Sequence, residues 1–232
     1  MLNLLLLSNS TNKGEEYMQW CNSIIASFVL EHKQNIVFIP YAAVGFTYEL
    51  YTNKVNETLV SEGIEVKNIA SFENRHKAIE EASAIFVGGG NTFHLLKTLE
   101  DENLVELIRK KVNSGIPYVG WSAGSNIASP TICTTNDMPI VEPKSFKALD
   151  LVKFQINPHY TEETLPNHGG ESRLQRLQEY IAANKEERIV CLPEATYLVV
   201  EDDLITFSGN KTGKILGSKI EEIITDGQSL IG

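Results

Sequence analysis

Cysteine is scarce in this chain, and the little there is forms no pattern. Cys21, Cys133 and Cys191 are odd in number and far apart, without the close spacing that holds zinc or the even set that staples a small secreted fold. Reduced thiols in a cytoplasmic protein are expected, with no redox role. Basic residues are also few: 20 Lys and Arg stand against 30 Asp and Glu, a net charge of −10. They are scattered, which argues against nucleic acid as a partner, since phosphate binding rests on clustered Lys and Arg. An anionic membrane is disfavoured for the same reason. Long hydrophobic runs are missing too. The opening Met1-Leu2-Asn3-Leu4-Leu5-Leu6-Leu7 has no basic start and breaks at Ser8-Asn9-Ser10, so it is expected to be a buried first strand rather than a signal sequence. No linker, low-complexity tract or internal repeat is visible, and one α/β domain over residues 1–232 is expected.

What the sequence does contain is alternation. Short apolar runs at Leu2–Leu7, Ile36–Pro40, Ile64–Ile69, Ala84–Val87 and Ile116–Val119 read as strands. Between them lie helical stretches at Glu15–Leu30, Gly45–Ser61, Glu73–Ala82, Asn91 or Thr92 to Leu99, and Leu104–Asn113. Strands alternating with helices predict right-handed crossovers and a mostly parallel, flavodoxin-like sheet with helices on both faces, binding ligands at the carboxyl ends of its strands. The second half is less regular. A loop-rich stretch, Pro130–Leu149, precedes a strand near Leu151–Ile156 and a helix over Glu171–Ala183. Strands at Arg188–Leu192, Ala195–Val200, Leu204–Phe207 and Gly213–Leu216, with turns at Asp202-Asp203 and Gly209-Asn210, predict antiparallel additions at one edge.

Candidate chemistry lies at the ends of four of these strands. Gly120-Trp121-Ser122-Ala123-Gly124 follows an apolar run and reads as a nucleophile elbow, in which small residues two before and two after the serine let strand and helix approach. The alternative is that Ser122 only caps the helix Ala123–Ala128. Gly88-Gly89-Gly90-Asn91-Thr92 can turn backbone N–H groups toward a negative charge, or can be a turn with Asn91 or Thr92 as a cap. It lacks the Lys-Ser or Lys-Thr pair and the glycine spacing of nucleotide-binding loops. His159, after Gln155-Ile156-Asn157-Pro158, is placed to be a general base. His168 nearby raises a metal pair, but no further zinc-ligand spacing accompanies it. Glu194, after Val190-Cys191-Leu192-Pro193, and Asp137, in Thr134-Thr135-Asn136-Asp137-Met138-Pro139, are rival acids for orienting an imidazole. Chain order does not choose between them.

Taken together these strings resemble the peptidase E family, the aspartyl dipeptidases, serine peptidases on a class I glutamine-amidotransferase-like fold. The resemblance spans nearly the whole chain. It is carried by Leu4-Leu5-Leu6-Leu7-Ser8-Asn9-Ser10-Thr11, Val87-Gly88-Gly89-Gly90-Asn91-Thr92-Phe93 and Gly120-Trp121-Ser122-Ala123-Gly124. Thr134 to Val141, Ile156-Asn157-Pro158-His159 and Leu192-Pro193-Glu194 complete it. The resemblance implies hydrolysis of dipeptides with an amino-terminal aspartate, with Ser122 as nucleophile, His159 as base and Glu194 as the triad acid. Asp137 matches a second functional acid. Gly89, Gly90 and the amide of Ala123 match the oxyanion hole. Two departures stand out: Ser125 where alanine is usual, and Ala195 where glycine follows the glutamate.

A protein of net charge −10 repels an aspartyl substrate at long range, so a local cation is required. Arg173, in Gly170-Glu171-Ser172-Arg173, matches a family arginine and is the candidate reader of the side-chain carboxylate, with Asn91 as a second substrate contact. No cofactor and no metal are expected, and the partner is a small dipeptide. Monomer and homodimer stay open. Two other classes remain in view: an esterase of the α/β-hydrolase type, and a non-catalytic amidotransferase-like binding protein.

Overall fold

The structure, a computed structural model, describes residues 1–164 and 169–230. Five short strands lie parallel: β1 (Asn3–Leu7), β2 (Ile36–Ile39), β3 (Val66–Asn68), β4 (Ala84–Val87) and β5 (Tyr118–Trp121), in the spatial order β1-β5-β4-β2-β3. In all but the edge strand β3 the nearly unbroken apolar sequences follow from burial on both faces. Side chains alternate along a strand, so Leu4, Leu6, Val37, Ile39, Ile85 and Val87 enter one core while Leu5, Leu7, Ile36, Phe38, Phe86 and Trp121 enter another. Helices roof both. The first core is closed by α3 (Arg75–Glu81), α4 (Thr92–Asp101) and α5 (Val105–Asn113), through Ile79, Leu95, Leu99, Ile108 and Val112. The second is closed by α1 (Asn22–Phe28) and α2 (Tyr48–Leu59), through Ile25, Tyr51, Val55 and Leu59. Thr47, Asn74 and Asn91 each accept a backbone N–H at the start of α2, α3 and α4.

The expected helix over Glu15–Leu30 is shorter than its sequence period suggests. Met18 is fully buried with φ +58°, a left-handed conformation that an α-helix does not admit, so the chain forms turns until Asn22.

After β5 come the single-turn α6 (Ala123–Asn126), β6 (Gln155–Pro158), α7 (Arg173–Ala183), β7 (Arg188–Leu192), β8 (Thr196–Glu201), β9 (Leu204–Gly209), β10 (Gly213–Gly217), β11 (Ile220–Ile224) and β12 (Ser229–Leu230). The tail divides between two sheets. As expected, β8, β9 and β12 add antiparallel to the free edge of β1, extending that sheet to eight strands. The other strands form a four-stranded sheet, β11-β10-β7-β6, with α7 packed on it through Leu177 and Ile181. This second sheet was not anticipated, and its parallel pair β6 and β7 is what carries the His159 and Glu194 segments. No helix among the described residues is long and apolar enough to cross a membrane.

Candidate active site

The elbow is built by steric necessity. A side chain on Gly120 would put its Cβ 2.3 Å from the Gly124 carbonyl oxygen, and one on Gly124 would put its Cβ 2.1 Å from that of Val87. Only glycine lets β5, β4 and α6 come this close. Between them Ser122 takes φ +53° and ψ −113°, a conformation costing about 1–3 kcal/mol for a residue with a side chain. Its backbone N–H is fixed to the Leu7 carbonyl at 3.1 Å. The hydroxyl makes no capping bond to α6. It meets Nε2 of His159 at 2.9 Å, and Nδ1 of that ring meets Oε1 of Glu194 at 3.2 Å. With the Nδ1 proton directed at the carboxylate, Nε2 is left as the acceptor for the serine hydroxyl.

Two loops hold this line. His159 follows β6 at φ +52° and Glu194 follows β7, immediately before Ala195 at φ +65°. The carboxyl end of β1 ties them down: the buried Ser8 hydroxyl accepts from the His159 N–H at 2.8 Å and donates to the Leu192 carbonyl at 2.7 Å. The side-chain oxygen of Asn9 accepts from the Ala195 N–H at 2.9 Å. From sequence Ser8 and Asn9 are read as the break after an apolar run and as part of the string that carries the family resemblance, with no role of their own. Their position at a strand's carboxyl end was the available signal.

The glycine loop abuts the serine. A Cβ on Gly89 would lie 3.0 Å from that of Ser122. Gly88 donates to Ile39 and Asn91 to Ala42, whereas the amides of Gly89 and Gly90 have no backbone acceptor among the described residues. Gly90 has φ +137°, and its added Cβ would fall 2.2 Å from the Ala42 carbonyl oxygen, so only glycine fits.

Asp137 lies apart from the imidazole. One carboxylate oxygen accepts from the Thr92 N–H at 2.7 Å, the Thr92 hydroxyl at 2.6 Å and the Thr135 hydroxyl at 3.0 Å, pinning its loop to the start of α4. Asn91 takes part in the same junction. It caps α4 by accepting from the His94 N–H and donates to the Met138 carbonyl at 2.9 Å, leaving one amide hydrogen for another partner. Arg173 opens α7. It is half-buried, and its Nη1 is enclosed with no hydrogen-bond partner among the described residues. Burial lowers its pKa, as does Arg176 nearby, while Asp137 acts in the opposite direction. Ser125 is accommodated without strain, its buried hydroxyl facing the carbonyls of Leu7 at 2.6 Å and Gly120 at 2.9 Å. His168, weighed above as a metal partner of His159, lies outside the described residues.

An alcohol becomes reactive when a hydrogen-bonded imidazole, itself held by a carboxylate, can take its proton, and the fold and site assign the chain to the serine hydrolases that use this line. The comparisons narrow the class. The profile of peptidase family S51 matches residues 4–207, and the chain belongs to that family as a serine peptidase. Among its relatives, a protein named peptidase E from Nostoc sp. is 52% identical over 90% of this chain and 86% of its own length. Another peptidase E, from Haemophilus influenzae, is 40% identical over 92% of this chain and 97% of its own. The crystal structure of a peptidase from an acI-B1 Actinobacterium shares the fold, with TM-score 0.71 and 19% identity over 100% of this chain and 97% of its own.

Proposed function

We propose that the protein hydrolyses dipeptides with an amino-terminal aspartate through Ser122, His159 and Glu194. The observation that carries this reading is the continuous hydrogen-bonded line from Glu194 through His159 to a serine strained at an elbow. His159 takes the hydroxyl proton as Oγ of Ser122 attacks the peptide carbonyl. The tetrahedral oxyanion rests on the free amides of Gly89 and Gly90, joined by that of Ala123 at the start of α6; each such donor is worth about 2.7–4 kcal/mol in the transition state. Protonated His159 then gives its proton to the departing amino acid, and water repeats the sequence on the aspartyl ester.

Specificity for aspartate is attributed to Arg173, whose enclosed Nη1, without a partner among the described residues, suits a carboxylate that replaces its lost hydration. Asn91 offers a further donor to the substrate. Asp137 serves by holding the loop and helix that carry the glycine amides. The name peptidase E borne by relatives at 40% and 52% identity supports the dipeptidase reading. The test is a panel of Asp-, Glu-, Asn- and Ala-initiated dipeptides assayed with the wild type and with Ser122→Ala. Strong preference for Asp in the wild type and loss of turnover in the variant are expected. Hydrolysis that survives in Ser122→Ala, or no preference for Asp, would refute it.

A further inference from the structure

The oxyanion hole proposed above needs its amides aimed in one direction, and glycine, the residue with the most backbone freedom, does not aim them by itself. Something must hold the peptide. The Gly89 carbonyl accepts a hydrogen bond at 3.1 Å from the hydroxyl of Tyr51, which reaches it from α2. Tyr51 is 5% exposed, and its hydroxyl in turn accepts from the indole Nε1 of Trp121 at 2.9 Å. Its ring is wedged edge-on against Phe38 and Phe46, with centroids 5.1 and 5.2 Å apart. A Cβ on Gly88 would come within 2.8 Å of that ring. The peptide bond between Gly89 and Gly90 is trans, so the Gly89 carbonyl and the Gly90 N–H point in opposite directions. Fixing one fixes the other.

We infer that Tyr51 is a positioning residue for hydrolysis: by holding the Gly89 carbonyl beneath the loop it keeps the Gly90 N–H turned outward, as a donor for the developing oxyanion. The inference rests on the serine-peptidase reading of the site. The chain of donors has one direction, from the Trp121 indole to the Tyr51 oxygen and from the Tyr51 hydroxyl to Gly89. Trp121 immediately precedes the nucleophile, so elbow and oxyanion loop are set relative to each other by one phenol. Burial raises the Tyr51 pKa, so the hydroxyl keeps its proton and remains a donor throughout the working range of a histidine base.

The test is Tyr51→Phe, which removes one oxygen and keeps the ring that packs on Phe38 and Phe46. Losing a whole oxyanion donor costs about 100- to 1,000-fold in kcat, so a donor left present but unaimed is expected to cost about 10-fold, with KM little changed. A second readout separates aim from general damage. An aspartyl aldehyde, which forms a tetrahedral adduct with the serine, should lose affinity by the same factor as kcat, while free aspartate, a ground-state ligand, should bind as before. Gly88→Ala is the independent variant. It keeps the hydroxyl but displaces the ring, and should show the same split. Wild-type kcat and aldehyde affinity in folded Tyr51→Phe and Gly88→Ala, or equal losses for aldehyde and aspartate, would overturn the inference alone. Activity that persists in Ser122→Ala would instead overturn the reading beneath it.

Discussion

The backbone N–H of His159 donates to the hydroxyl of Ser8, a fully buried residue 151 positions earlier in the chain. That hydroxyl donates onward to Leu192, two residues before Glu194. A single side chain at the end of β1 therefore spaces the imidazole from its carboxylate. Ser8→Ala takes the acceptor from a part-buried His159 N–H, a loss of about 1–3 kcal/mol. The melting temperature should fall by several degrees, at about 2–4 °C per kcal/mol for a chain this long. The folded variant should also lose activity by about 10-fold, in kcat more than KM, because a misplaced base slows chemistry rather than binding. Normal kcat measured below the melting transition would remove Ser8 from this role.

The two acids are separable by substitution. Glu194 faces the imidazole at 3.2 Å, and both side chains are about two-fifths exposed, 40% for His159 and 43% for Glu194, so water screens the pair and weakens it as a stabilising contact. Glu194→Gln is expected to cost roughly 100- to 10,000-fold in kcat, through the wrong tautomer of His159, with little change in melting temperature. Asp137→Asn should do the reverse. An amide oxygen still accepts from Thr92, but the charge that three donors share is gone, so stability falls by about 1–2 kcal/mol and kcat by less than in Glu194→Gln. Steady-state kinetics and thermal melts of the two variants, run side by side, check the ordering.

Arg173→Met tests the specificity assignment. Removing one member of a desolvated, hydrogen-bonded charge pair costs about 2–5 kcal/mol, so kcat/KM for Asp-initiated dipeptides should fall by about 30-fold or more. Ala-initiated dipeptides should be turned over as before. Stability should hold or rise, because the substitution removes an enclosed guanidinium nitrogen that lacks a partner among the described residues. An unchanged ratio of Asp to Ala turnover would exclude Arg173 as the reader of the side chain.

Local features of this fold were readable in the sequence, and long-range ones were not. Ala84–Val87 was legible to the residue because a strand buried on both faces has no polar position to blur its ends. The elbow was legible because Gly120 is demanded by a contact inside the motif itself, the Gly124 carbonyl four residues on. Tyr51 and Gly89 stand 38 residues apart and Ser8 and His159 151 apart, and nothing in a tyrosine on a helix or a serine after a strand announces such a partner. The last strands failed for a different reason. Ile220-Glu221-Glu222-Ile223 is exposed throughout, so no buried face imposes a period of two on it.

The three thiols should differ sharply in reactivity. Cys133 is exposed, whereas Cys21 and Cys191 are buried. Burial pushes the Cys21 thiol up to about 12 and raises that of Cys191 as well, so neither supplies thiolate at neutral pH. The native protein should take up one equivalent of a disulfide-exchange reagent quickly, and three after denaturation in guanidinium. More than one fast equivalent in the native state would mean that a core opens on the timescale of the assay.

Ala195 is one of the non-glycine residues held at positive φ beside the site. It follows Glu194, holds φ +65°, and is kept there by the bond from its N–H to Asn9 at 2.9 Å. A left-handed residue with a Cβ costs about 1–2 kcal/mol, and glycine removes that cost while adding about 0.5–1 kcal/mol of backbone freedom to the unfolded chain. Ala195→Gly should therefore stabilise the protein by about 0.5–1 kcal/mol, raising the melting temperature by about 1–4 °C. Activity is expected to change less than twofold, since Asn9 and Ser8 still fix the segment from both sides of Glu194. A variant that melts higher but turns over much more slowly would mean that the methyl group itself, and not the Asn9 bond, presents the carboxylate to His159.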